Sequence, residues 1–199
     1  MTATAAVPQA NPARRAGVLA DIVPGTRVRD AALILAGAGL VAGLGQVSIP
    51  LGFTPVPLSL GTFAVLSVGA ALGPWRAAAS LALFTVAGVL GAPVFVEAKS
   101  GWGGPSFGYV LGYLAAAVLV GWLARRGGDR SVPRTWVTMA AGTLVIYAVG
   151  VPWLGLELGV SAGRALALGV VPFLIGDAIK ALAAALLLPG AWRLAGGGR

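Results

Sequence analysis

Apolar residues run through this 199-residue chain in long stretches almost free of charge, separated by short clusters of Gly, Pro or Arg. A helix needs roughly twenty predominantly apolar residues to cross a bilayer. On that measure the pattern predicts six spans, over residues 30–49, 58–72, 77–90, 107–124, 135–151 and 165–188. Gly73-Pro74 closes the second, Gly91-Ala92-Pro93 interrupts the third, Pro152 closes the fifth, and Pro189-Gly190 follows the sixth. The second and third are short and need neighbouring loop residues or a locally thinned bilayer. The expected fold class is an all-α integral membrane protein with six transmembrane helices. Residues 1–29 are expected to form a flexible tail, 30–190 the membrane domain and 191–199 a second short tail. The first tail lacks the apolar core and cleavage site of a secretory signal peptide.

Composition agrees with that reading. Hydrophobic residues make up 58% of the chain and charged residues 10%, against about 25% charged in a soluble domain. The 31 glycines do not oppose helices, because small residues let membrane helices approach closely. Charge then sets the orientation. Arg14, Arg15, Arg27 and Arg29 precede the first span, and Arg76 separates the second from the third. Arg125, Arg126, Arg130 and Arg134 separate the fourth from the fifth, and Arg193 and Arg199 follow the sixth. The opposite side receives Lys99 and Arg164. By the positive-inside rule both termini are cytoplasmic and the chain is a multi-pass protein of the cytoplasmic membrane. Arginines that flank spans are topology signals, so the net charge of +8 is not read as a nucleic-acid surface.

The absence of Cys and His removes disulfides, thiol chemistry, the usual zinc sites and every His-based triad. No metal site is expected. Within the sixth span Asp177 and Lys180 lie three residues apart and project from one helix face. Charges in such a segment are costly and mark binding or transport, although a structural ion pair is the plainer alternative. A polar ligand would find there a carboxylate to accept N–H bonds and an ammonium to donate to oxygen. Pro172 can kink the same segment, and Gly176 can admit a close neighbour. The outer loops, rich in Pro, Gly and aromatics, either form a lid or rest at the membrane interface. Ala32, Ala36, Ala38 and Ala42 give the first span small residues suited to helix contact. No GxxxxGK[ST] phosphate loop is present, and no nucleophile or second carboxylate accompanies Asp177, so the chain is not expected to be an enzyme.

Three motifs carry a resemblance. Ser48-Ile-Pro-Leu with Thr54-Pro-Val-Pro-Leu-Ser-Leu-Gly-Thr62 resembles the first-loop motif of the BioY family, the biotin-specific S-components of energy-coupling-factor (ECF) transporters. Gly61 departs from a Gln usual in that motif. Gly88-Val-Leu-Gly91-Ala-Pro93-Val-Phe95 with Gly103-Gly-Pro-Ser-Phe-Gly108-Tyr109 is similar to the family's third-span signature, and Pro172-Phe-Leu-Ile-Gly176-Asp177-Ala-Ile-Lys180 to its sixth-span motif. The resemblance implies high-affinity biotin binding under the first and third outer loops. It also implies a coupling subunit and two partner ATPases, which use the ATP; this chain would bind no cofactor. Asp177 would accept a ureido N–H, while Lys180 would donate to the ureido carbonyl or pair with the carboxylate. Phe53, Trp102 and Tyr109 are candidate apolar walls and Lys99 a candidate cation for the tail. Ala32, Ala36, Ala38 and Ala42 would be the surface that docks on the coupling subunit. An S-component for another vitamin is the alternative, and a membrane-embedded enzyme the more remote one.

Overall fold

The computed structural model describes residues 17–196. The helices are α1 (Arg27–Gln46), α2 (Gly61–Leu72), α3 (Pro74–Val89), α4 (Phe107–Arg125), α5 (Val132–Leu158), α6 (Ala162–Gly169) and α7 (Leu174–Leu194). A short antiparallel ladder, β1 (Ser48–Ile49) with β2 (Leu58–Ser59), closes the first outer loop at its base. Among the described residues, four helical stretches are long and apolar enough to cross a membrane: α1, α4, α5 and Ala162–Leu194. The helices α2 and α3 are shorter, as the sequence pattern leads one to expect.

Four boundaries differ from expectation, each for an identifiable reason. The helix α5 does not stop at Pro152; it runs on to Leu158 and ends where Gly159 turns left-handed at φ 62°. Proline forfeits one intrahelical bond, a loss that membrane helices tolerate within their length. The sixth stretch, expected to be continuous, is broken into α6 and α7 by a 3₁₀ turn over Val171–Phe173. Beyond it α7 passes Pro189 to Leu194. Trp192, 1% exposed, holds that last turn by donating its indole N–H to Asp129 at 2.7 Å. Burial pushes the Asp129 carboxyl above its ordinary value, while the Trp192 bond and the Arg130 charge pull it back. The fourth difference lies at the N-terminus. Of the expected tail, residues 1–16 lie outside the described ones, as do 197–199 at the other end. Residues 17–22 of the tail pack, with Val18 fully buried, and Asp21 and Asp30 both accept from Arg76, at 2.8 and 3.0 Å.

The helix α4 is the central element, with 56% of its apolar stretch buried against 22% for α1. Its contact with the α2–α3 corner is close because both sides are small. A Cβ on Gly121 would stand 2.6 Å from the Gly73 carbonyl carbon, and one on Gly69 2.8 Å from the Ala117 carbonyl oxygen. At the same end Arg125 reaches the Gly73 corner, so the arginines flanking α2–α3 and α4–α5 gather at one end of the bundle. The outer loops lie at the other.

Candidate binding site

The site is built on the broken sixth stretch. Pro172 has no N–H to give the Leu168 carbonyl one turn back, and that carbonyl accepts the Thr54 hydroxyl at 2.9 Å instead. The Phe173 N–H bonds to Val170 in the 3₁₀ turn. The Gly169 carbonyl is thereby left to the Tyr109 hydroxyl, at 2.9 Å. One proline thus ties the first outer loop and α4 to the same turn. The helix α7 starts directly after it with Asp177 in its first turn, where the positive end of the helix favours a carboxylate.

Asp177 and Lys180 face the bundle interior, their side chains 10% and 12% exposed. The Lys180 ammonium donates to Asp177 at 2.9 Å and to the Thr62 hydroxyl, on α2, at 3.0 Å. Tyr147, on α5, donates its hydroxyl to the other Asp177 oxygen. Three helices therefore converge on one charge pair, and one ammonium N–H is left beyond these two bonds.

This cluster forms one end of a narrow cavity of about 60 Å³. That room is well below the roughly 300–1,000 Å³ of small-molecule sites, so a ligand must part the loops above it. All three tyrosines of the chain line it: Tyr109 and Tyr113, one turn apart on α4, and Tyr147. The far end is apolar, with Phe84, Val94 and Phe95. Ser59, at the base of the first outer loop, also reaches the cavity, and its hydroxyl accepts the Gly61 N–H at 3.2 Å.

The structure brings Asp177, Lys180 and Tyr109 together around this space and leaves three expected residues outside it. Phe53, 65% exposed, sits at the tip of the first outer loop. Trp102, 70% exposed, packs at a tilt against Phe107, 4.6 Å between centroids. Lys99 points outward and pairs with Glu97 at 2.7 Å. Gly176 admits a loop side chain: a Cβ there would be 3.0 Å from Leu58. Thr62, Tyr113 and Tyr147 are the residues that sequence reasoning missed. For the two tyrosines a signal is present, since tyrosines are scarce in this chain and every one falls in an apolar stretch.

On α1 the expected alanine stripe divides. Ala32 and Ala36 are exposed, whereas Ala38 is 8% exposed and turned into the bundle and Ala42 is half-buried. Ala38 is two positions from Ala36, about 200° around the helix at 3.6 residues per turn, so the two cannot share a face. Gly39 and Gly43, exposed and with open space where a Cβ would stand, continue the stripe of Ala32 and Ala36.

The sequence model of the BioY family matches residues 14–197. A biotin transporter BioY from Rhodobacter capsulatus is 34% identical over 179 residues, covering 80% of this chain and 90% of that protein. One from Thermotoga maritima is 35% identical over 159 residues, covering 78% and 87%. A 2.1 Å crystal structure of the S-component for biotin from an ECF-type ABC transporter superposes with a TM-score of 0.75 at 26% identity, covering 86% of this chain and 93% of that one.

Proposed function

We propose, because this chain belongs to the BioY family, that it captures biotin for uptake as the substrate-binding component of an ECF-type transporter. It is a multi-pass membrane transport protein and not an enzyme. The observation that carries the binding mode is the Asp177–Lys180 pair, closed on itself and braced by Thr62 and Tyr147 at the charged end of a mostly apolar cavity. The pair is neutral overall. A carboxylate brought against it would leave a net buried charge beside Asp177, which is costly. The ureido ring suits it better: its N–H groups donate to Asp177, and its carbonyl accepts the remaining Lys180 N–H. Of the two roles open to Lys180 in the sequence, this favours the ureido carbonyl. The thioether ring and tail then extend past Tyr109 and Phe95 toward the outer loops. Lys99, already paired with Glu97, sits at the rim where the carboxylate would emerge.

The orientation follows the arginines: six spans, with α2 and α3 as the short pair, both termini cytoplasmic and the outer loops facing outward, in the cytoplasmic membrane. The membrane domain would cover 30–190, extended by the packed residues that flank it. The exposed stripe of Ala32 and Ala36, continued by Gly39 and Gly43, would dock on a transmembrane coupling subunit whose ATPases hydrolyse the ATP. No cofactor is needed on this chain.

Titration of the purified protein in detergent should show saturable biotin binding and none of thiamine or riboflavin. A folded protein that ignores biotin, or prefers another vitamin, would refute the assignment. For the docking surface, Ala36→Trp should abolish co-purification with a coupling subunit while biotin affinity stays within about twofold, because Ala36 faces away from the cavity. Intact assembly in that variant would reject the stripe as the contact.

A further inference from the structure

Gln46 is the last residue of α1 and has no place in the binding chemistry, yet its side chain is the most heavily engaged polar group on the outer face. Its amide nitrogen donates to the Val94 and Phe95 carbonyls at 3.2 and 3.0 Å, and to Ala42 on its own helix at 3.0 Å. Its amide oxygen accepts the Ala98 N–H at 2.9 Å. Turning the amide over would set its oxygen against three carbonyls, so the network fixes the orientation. All its partners outside α1 belong to the strap between α3 and α4.

That strap covers the cavity. It carries Phe95, 6% exposed, which lines the ligand space and packs edge-on against Phe84 and Phe107. The ring occupies a recess at Gly88, where a Cβ would lie 2.2 Å from it. The strap is also strained. Glu97 and Ala98 have φ of 60° and 54°, a left-handed conformation that side chains with a Cβ adopt at a cost. Gln46 bonds to the backbone just before this turn and to Ala98 within it, so it holds in place a conformation the turn would otherwise relax.

Resting on the biotin reading above, we infer that Gln46 is the latch that keeps the strap and its Phe95 over the bound ligand, and so sets how fast the ligand leaves. It is a positioning residue and touches no ligand itself. Gln46 lies three residues past Gly43, on the helix that carries the exposed small-residue stripe, so displacement of α1 would pull on the strap directly.

The test pairs hydrogen exchange on the ligand-free protein with biotin dissociation kinetics. In Gln46→Leu, exchange across residues 94–101 should rise while exchange in α4 stays as in the parent. Biotin should dissociate at least about tenfold faster, with its association rate changed less than threefold. Gln46→Glu, which keeps the acceptor toward Ala98 but sets a carboxylate against three carbonyls, should behave alike and serves if the leucine variant does not fold. Unchanged exchange over 94–101 would overturn the latch. Faster exchange with unchanged dissociation would overturn its control of the ligand. If the parent bound no biotin, the functional reading would fall, and the exchange arm would still decide whether Gln46 holds the strap.

Discussion

Lys180→Ala should weaken biotin binding by about 100-fold or more and lower the thermal stability of the ligand-free protein. Two effects add. The ligand loses the ammonium that donates to its oxygen, and truncating one member of a desolvated charge pair typically costs about 2–5 kcal/mol in binding. The Asp177 carboxylate is left with the Thr62 and Tyr147 hydroxyls but no counter-charge, in surroundings where an unpaired charge costs about 3–5 kcal/mol of stability. Asp177→Asn should weaken binding comparably, since the amide presents a donor where the ureido N–H needs an acceptor. The double variant Asp177→Asn with Lys180→Met separates the two effects. It removes both charges at similar volume, so its melting temperature should return toward that of the parent while biotin binding stays lost. A double variant as unstable as Lys180→Ala would mean that the pair's shape and not its charge matters to the fold.

The second large effect is on stability alone. Gly121→Val should lower the melting temperature in detergent by several degrees or prevent folding, because the added atoms meet backbone and not a side chain that can swing aside. Even the first carbon stands 2.6 Å from both the Gly73 carbonyl carbon and the Pro74 nitrogen, so α4 must move off the α2–α3 corner. Overpacking of this kind costs typically 1–3 kcal/mol. Gly43→Val, on the open face of α1 with nothing within 4 Å of its Cβ, is the control and should leave stability nearly unchanged. Equal losses in the two would contradict the packing described for α4.

The apolar stretches were legible because a bilayer imposes a length on them, and Asp177 and Lys180 because charge there is rare. What escaped was long-range or directional. The run of α1 is apolar on every side, so nothing in it said that Ala38 faces the bundle while Gly39 and Gly43 carry on the stripe of Ala32 and Ala36. Proline was a poor guide to helix ends: Pro152 and Pro189 lie inside helices, whereas Pro172 does break one. The difference lies in the partners of the freed carbonyls, Thr54 and Tyr109, more than fifty residues away in sequence. The aromatic loop residues Phe53 and Trp102 were named for their type and their loops. Tyr147 stands out in its apolar stretch, but only α7 lying beside α5 gives its hydroxyl the Asp177 partner.

The measurement that bears most directly on this account is a crystal structure of the biotin complex at a resolution that distinguishes the two ends of the ligand. The account predicts biotin in the cavity beneath the strap, its ureido nitrogen within hydrogen-bonding distance of Asp177, its ureido oxygen near Lys180, and its tail beside Phe95. Biotin reversed in the cavity with its carboxylate on Lys180, or bound anywhere else on the protein, would contradict it.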